Sequence, residues 1–364
     1  MTEVLDVFRY PPYALPQAEK ERVLLGDLRR AVAWHTEHCP PYRALCESRS
    51  FDLRQCDTLE DIPYLPVTLF KSIRLRSVPE SEIVRTLFSS STSGRPSTIV
   101  LDEVTMKRQQ SALVNILLDF FGSARRQFFI FDTRATLGSS NNALSSRATA
   151  MRGMLPMAKR AHFLLNPALE LDHALLAEAF GHGGQDPVLF FGFTWLLYQV
   201  YERVRQQLAD SLALSGLSND RMVLHLGGWK KLTDRNVKKS EFNSRISTWL
   251  KVAPERIVDL YGMTEQLGTV YPDCVAGFKH APVYSDILIR DPASLAVVPS
   301  GSIGFIELVS PLPHSYPGIA VLSDDLGKIV GVDDCTCGRK GKYFVFEKRS
   351  EAAELKGCGD TVAV

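Results

Sequence analysis

The chain has 364 residues, 45% of them hydrophobic and 23% charged, ordinary values for a globular protein and outside the range of disordered or fibrous chains. With 42 Lys and Arg against 41 Asp and Glu, the net charge of +1 supplies no broad basic field for a phosphate backbone, which argues against nucleic acid as partner. No apolar stretch approaches the roughly 18–20 residues of a membrane-spanning helix, and the opening lacks the pattern of a signal peptide, so no membrane association and a cytoplasmic location are expected.

In chain order, Leu24, Leu25, Leu28, Val32 and His35 recur at helical spacing, and Cys39, Pro40 and Pro41 predict the stop. The first 87 residues read as helical and then irregular. Beyond them, short apolar runs at 127–131, 187–191, 222–226 and 256–260 predict buried strands, separated by segments of helical periodicity. The clearest helix carries Trp195, Leu196, Leu197, Val200, Tyr201, Val204, Leu208 and Leu212; a shorter one carries Phe242, Ile246 and Trp249. Strands alternating with helices predict a doubly wound α/β layer structure, whose ligand sites lie at the carboxyl ends of the strands. Residues 302–308 and 343–346 alternate like half-buried strands and predict a small β subdomain.

Four segments carry chemistry. Residues 88–96 read FSSSTSGRP; small hydroxyl side chains and exposed N–H groups form an anion cradle, and Gly94 permits close approach to phosphate. The run also reads as a solvated turn, and no Gly-Lys-Ser/Thr follows as in a P-loop. Residues 259–265, DLYGMTE, set Tyr261, Gly262, Thr264 and Glu265 directly after a predicted strand. The aromatic suits a base, the hydroxyl a phosphate and the glutamate a magnesium ion, although an ordinary strand-to-helix turn has the same grammar. Gly227 and Gly228, within HLGGWKK, allow a planar ligand against backbone. Asp325, in LSDDLG, offers a carboxylate for ribose hydroxyls, and Asp-Asp pairs also occur in plain turns.

Together these segments resemble the adenylate-forming superfamily of acyl-CoA synthetases and ligases. Within it the chain is similar to the acyl-protein synthetases of bacterial luminescence fatty acid reductases and, more distantly, to phenylacetate-CoA ligases. That resemblance rests on PYR at 41–43, DIPYLPV at 61–67 with Phe70-Lys71, FGF at 191–193, GGWK at 227–230 and ELKGC at 354–358. It implies an α/β large domain with parallel and mixed sheets flanked by helices, plus a small C-terminal β subdomain. The divisions expected are a helical part over 1–87, a nucleotide- and acyl-binding core over 88–270, a β subdomain with a zinc site over 271–349, and a tail over 350–364.

The resemblance also implies roles. Ser90, Ser91, Thr92, Ser93 and Gly94 would hold phosphates, Tyr261 would face adenine, Thr264 would bond the α-phosphate, Glu265 would hold magnesium, Asp325 would grip ribose and Arg349 would contact ATP. Two departures stand out. The family's phosphate loop ends with a lysine where this chain has Ser97, and 15 residues follow Arg349, so the usual mobile C-terminal domain with its catalytic lysine is expected to be absent. Lys230, Lys231 or Lys340 are the cations considered for that role. In the luminescence enzymes a cysteine near the C-terminus carries the acyl group, and Cys358 matches it. Nine residues from Arg349, extended, span roughly 30 Å; Gly357 and Gly359 give freedom, and Lys356 favours the thiolate. A bland free thiol is the alternative.

Seven cysteines are an odd set, better read as thiols or ligands than as a disulfide framework. Cys39, Cys46 and Cys56 read as core. Cys274 and His280, with Cys335 and Cys337, make two short-range pairs that together suit a closed, structural zinc site. The expected function is ATP-dependent activation of a carboxylic, in particular fatty, acid as an acyl-adenylate, with transfer to Cys358 and on to a partner reductase or carrier. The alternatives are direct transfer to coenzyme A or a carrier-protein thiol, and a nucleotide-binding homologue without turnover.

Overall fold

The computed structural model describes residues 4–89, 96–138, 143–181, 184–207, 214–228 and 237–350. The stripe of Leu24, Leu28, Val32 and His35 is the buried face of helix α1 (Gln17–His38), which ends at Cys39. Pro40 and Pro41 do more than stop it: they open a second helix, α2 (Pro40–Ser48), at the positions where a missing N–H is no loss. The stretch read as irregular then holds β1 (Leu65–Pro66), the single turn α3 (Leu69–Ser72) and β2 (Arg85–Phe88), which pairs with β3 (Thr98–Leu101) across the Ser-rich segment.

Helix α4 (Glu103–Phe121), capped by the Asp102 side chain, leads to β4 (Arg126–Phe131). A short strand β5 (Ala143–Ser145) joins β2 in parallel and runs into α5 (Ser146–Met154). Then come β6 (Ala158–Phe163), α6 (His173–Gly181), β7 (Val188–Phe193), α7 (Thr194–Gln207), β8 (Arg221–Leu226), α8 (Lys239–Leu250), β9 (Ile257–Tyr261) and β10 (Tyr271–Pro272). They build a six-stranded sheet in the order β10-β9-β8-β7-β4-β6, parallel except for β10. Every residue of β4 and β7 is buried, because both faces are covered. Phe129, Phe131 and Phe190 pack toward α7 and α8, whereas Phe128, Ile130 and Leu189 pack with Leu117 of α4 and Met151 of α5. This is why these strands read as continuous apolar runs rather than as alternation.

The last part is antiparallel: β11 (Lys279–His280), β12 (Asp286–Arg290), β13 (Gly304–Val309), β14 (Ala320–Val332) and β15 (Lys342–Arg349), ordered β11-β15-β14-β13-β12. To it β1 adds in parallel, Leu65 beside Val321 and Pro66 beside Leu322. The amino-terminal part and this sheet therefore share one core, in which Leu24, Val32, Tyr42 and Phe70 pack with Tyr284, Val309, Tyr316 and Val321. Residue 87 marks no division in the packing. Among the described residues no helix is long and apolar enough to cross a membrane.

Buried charge ties α1 to the sheet. The Asp286 carboxylate accepts from Gln17 Nε2 at 2.6 Å and pairs with the Lys20 and Lys342 ammonium groups, each at 3.2 Å. Burial alone would raise its pKa, but Lys20 and Lys342 hold it down at about 2. We expect Asp286→Ala to cost about 3–5 kcal/mol in urea unfolding, since it strands two buried cations. In the wild type this contribution is present above about pH 4 and drains away as pH falls through about 2, because the unfolded carboxylate binds its proton first; acid titration of unfolding in both proteins measures it.

Candidate active site

Strand β9 ends at Tyr261, and the chain turns through Gly262 and Met263 into a 3₁₀ turn over Thr264–Gln266. This is the carboxyl end of a parallel sheet, where main-chain groups are left unpaired and open to a ligand. A cavity of about 560 Å³ lies there, walled by Gly227 after β8, by Gly262, Thr264 and Glu265, by Ser323, Asp324 and Asp325 of β14, and by Arg349. Side chains from β9, β14 and β15 meet on one carboxylate: the Tyr261 hydroxyl donates to Asp325 Oδ2 at 2.9 Å and Arg349 Nε donates to Oδ1 at 3.1 Å. The Tyr261 ring stacks on Phe346 at 5.7 Å between centroids. Burial, then the neighbouring Asp325, pushes the Tyr261 pKa well up, so the hydroxyl stays a donor.

The turn that carries Glu265 is held by side-chain donors on main-chain carbonyls. Gln266 Nε2 donates to the carbonyls of Leu308 and Gly318 at 2.8 and 2.9 Å, and the Tyr316 hydroxyl donates to the Glu265 carbonyl at 2.9 Å. The Glu265 side chain is 5% exposed. Burial raises its pKa, while the Ser97 hydroxyl, Lys71 and Arg349 pull the other way. A buried carboxylate left at a cavity wall beside a hydroxyl is a hard-oxygen donor suited to magnesium.

The Ser-rich loop hangs from the same place. Ser89 N donates to the Ser97 carbonyl at 3.1 Å and Ser97 N to Ser89 Oγ at 2.8 Å, closing its base, and Ser89 lines the cavity. Ser90, Ser91, Thr92, Ser93 and Gly94 themselves lie outside the described residues, as do Lys230, Lys231 and Cys358. Lys340 is corrected as a candidate cation: its ammonium donates to the Asp333 carbonyl, remote from the cavity wall. Gly227 has φ +77°, and a Cβ there would meet Phe193 Cδ1 at 3.3 Å, whereas Gly228 faces open space. Leu113, Met154, Phe191, Phe193 and Leu226 contribute an apolar part of the lining. The turn at 191–194 thus both lines the cavity and packs, through Thr194 Oγ1 at 2.9 Å from His225 Nδ1. Lys71, Arg85 and Ser323 line the cavity without having been assigned from sequence, and Asp324, the other carboxylate of LSDDLG, lines it beside Asp325. The Phe70-Lys71 pair carried a signal only as part of a resemblance, because nothing local says what α3 faces.

A second cluster joins the loop after β10, strand β11 and the turn between β14 and β15. The ligand atoms of Cys274, His280, Cys335 and Cys337 all lie within 4.8 Å of one another. Cys274 Sγ is 3.9 Å from Cys335 Sγ, and Cys337 Sγ is 3.3 Å from His280 Nε2. Burial, then Arg339 and Lys20, lowers the His280 pKa to about 4, which leaves the neutral, ligating imidazole at neutral pH. Cys39, Cys46 and Cys56 are buried, as core thiols should be. His314 is satisfied by Asp102 at 2.6 Å and His162 by Gln127 at 3.2 Å.

Comparison with known proteins gives three findings. The sequence model of the family described as Acyl-protein synthetase, LuxE matches residues 2–364. A long-chain-fatty-acid–luciferin-component ligase of Vibrio harveyi is 23% identical over 360 residues, covering 98% of this chain and 92% of the relative; a phenylacetate-coenzyme A ligase of Thermus thermophilus is 23% identical over 343 residues, 88% of this chain and 68% of that protein. Among solved structures, an open conformation of 2-hydroxyisobutyryl-CoA ligase in complex with 2-HIB-AMP and CoA shares the fold, with a TM-score of 0.71, 19% identity, and coverage of 93% of this chain and 76% of that one.

The two glycines after β8 differ in a way that stability measurements resolve. Gly227→Ala forces a left-handed backbone and a tight contact, with an expected cost of about 1–2 kcal/mol. Gly228→Ala should stay within about 0.5 kcal/mol of wild type. Thermal unfolding of both variants checks this.

Proposed function

The chain belongs to the acyl-protein synthetase family LuxE, and from that premise we propose that it converts a fatty acid with ATP to an acyl-adenylate and then to a protein-bound thioester. It is an ATP-dependent ligase by family and fold. The observation that carries the finer reading is the pairing of Asp325 with Arg349 and with the Tyr261 hydroxyl at a cavity lined also by Glu265 and by a set of apolar side chains.

In the first step a carboxylate oxygen of the acid attacks the α-phosphorus. The bond from phosphorus to the bridging oxygen breaks, and pyrophosphate leaves with the electron pair. Two anions must meet, so catalysis is alignment plus stabilisation of charge by donors and cations. Asp325 would take the ribose hydroxyls, Tyr261 the base, Thr264 an α-phosphate oxygen, and the loop of Ser90, Ser91, Thr92, Ser93 and Gly94 the outer phosphates. Glu265, with the Ser97 hydroxyl near it, would hold a magnesium ion, which when bound supplies neutralisation of phosphate charge. The apolar wall would take the hydrocarbon chain and keep water from the adenylate.

In the second step the Cys358 sulfur attacks the acyl carbonyl carbon, its proton passes to solvent, and AMP leaves. The thioester then goes to a partner protein thiol, a reductase or carrier, in the cytoplasm, where thiols stay reduced. The relative named for a long-chain fatty acid supports the acid, and the one named for coenzyme A supports an external thiol as the second reading.

Incubation with ATP, magnesium and labelled acids from acetate to long chains tests this. We expect acid-dependent release of pyrophosphate and hydroxylamine-labile label on the protein, lost in Cys358→Ser while pyrophosphate release persists. Unlabelled protein that makes acyl-CoA overturns the Cys358 route, and silence across the panel favours a homologue without turnover.

The cysteine cluster would hold a structural zinc. A tetrahedron with ordinary Zn–S and Zn–N bonds has edges of about 3.8 Å between sulfurs and about 3.5 Å from sulfur to nitrogen, near the 3.9 and 3.3 Å found. Four protein ligands leave no open position, so the ion would clamp the β14–β15 turn to the loop after β10. Atomic emission should find about one zinc per chain, and Cys335→Ser should lose it and lower Tm by more than about 5 °C. A metal-free protein with the same Tm rules the site out.

A further inference from the structure

The geometry points to Lys71 as a catalytic residue of adenylation: the ammonium group that meets the phosphates at the moment of attack, placed over the nucleotide strand by the pairing of β1 with β14. This inference rests on the adenylating reading above and adds to it a residue that the motifs did not assign.

Acid and triphosphate are both anionic, and the loop closes at Ser97, a neutral side chain that is fully buried. Some cation must face the α-phosphate. Five cationic side chains line the cavity among the described residues: Lys71, Arg85, Lys107, Arg152 and Arg349. Three of them are engaged. Arg349 is bound to Asp325, Arg152 donates to the Leu137 carbonyl at 2.7 Å, and Lys107 sits 3.8 Å from Glu103. Lys71 lines the cavity and has no carboxylate within ion-pair distance among the described residues.

Its position is set by main chain rather than by a flexible loop. The registers Leu65–Val321 and Pro66–Leu322 and the bond from Val67 N to the Leu322 carbonyl at 2.9 Å end one residue before Ser323, Asp324 and Asp325. At the far end of that stretch, Ser350 N donates to the Asp324 carbonyl at 2.9 Å, next to Arg349. Two strands thus approach β14 on the edge opposite β13, β1 up to Leu322 and β15 from Asp325 onward; Arg349 ends β15, Lys71 follows β1 on α3, and both line the cavity. Phe70, 1% exposed, anchors α3 in the core while Lys71 stays exposed at the cavity. A lysine suits the task because its point charge can follow the oxygens as the α-phosphate reorganises, and donors aimed at developing charge act mainly on kcat.

Acid-dependent ATP–pyrophosphate exchange isolates this step from any thiol acceptor. We expect Lys71→Ala to lose about 100- to 1,000-fold in kcat with KM for ATP and acid changed less than about fivefold, Lys71→Arg to recover at least tenfold of that loss, and Tm to stay at the wild-type value because the side chain is exposed. Lys251→Ala, at the exposed end of α8, should leave exchange unchanged. A wild type that exchanges while Lys71→Ala keeps more than a third of its rate overturns Lys71 alone, and the same holds if Arg85→Ala takes the loss instead. A wild type that exchanges with no acid in the panel overturns the adenylating reading and Lys71 with it.

Discussion

Main-chain pairing along a single strand governs where everything else can sit. Over 13 residues β14 carries β13 on one edge and, in succession, β1 and β15 on the other. Hydrogen-bonded register leaves little freedom along the strand, since a slip of one residue would turn every side chain to the other face. Asp325 is therefore aimed at the cavity with the accuracy of the sheet. Gly327 shows how tightly this is enforced, because a Cβ there would lie 2.5 Å from the Val345 carbonyl oxygen.

Around that strand the molecule handles charge in two ways. Away from the cavity, buried ions are neutralised inside the fold. Asp286 takes Lys20 and Lys342, and Lys279 bridges Asp259 at 3.0 Å and Asp273 at 3.1 Å next to the end of β9. Such pairs contribute modestly in net terms, because desolvation offsets much of the attraction, but breaking one is costly. At the cavity the balance is left open. Glu265 is desolvated without a bonded cation among the described residues, and Lys71 lacks a carboxylate there. Under the proposed adenylation, this incomplete internal pairing would supply attraction for a triphosphate.

The two ends of the β14–β15 hairpin serve different purposes. One end presents Asp325, Phe346 and Arg349 to the cavity; the other carries Cys335 and Cys337 in a turn brought against Cys274 and His280. The amino-terminal segment contributes through the same sheet rather than as an appendage, which is why its core is shared with the β strands.

Much of this was legible along the chain. Apolar runs such as 127–131 and 187–191 announce buried parallel strands because burial on both faces leaves no place for polar alternation, and the turn after such a strand, Tyr261 to Glu265, is where a ligand can reach free main-chain groups. The cysteine and histidine spacings marked two short-range pairs, because such pairs reflect local turns, while the meeting of the two halves came from the tertiary fold. What sequence could not supply was long-range register. Leu65 and Pro66 carry no mark of a strand, and nothing near Lys71 says that it lines the same cavity as Ser323 and Asp325, some 250 residues away. Local patterning determines which residues are buried and which turns are possible, since those depend on neighbours a few positions apart. Which distant segments share a sheet edge, and hence which cations line the cavity beside Asp325, was decided by tertiary packing, where the favourable burial of Phe70 and Val321 in one core outweighs the weak local preference of a two-residue strand.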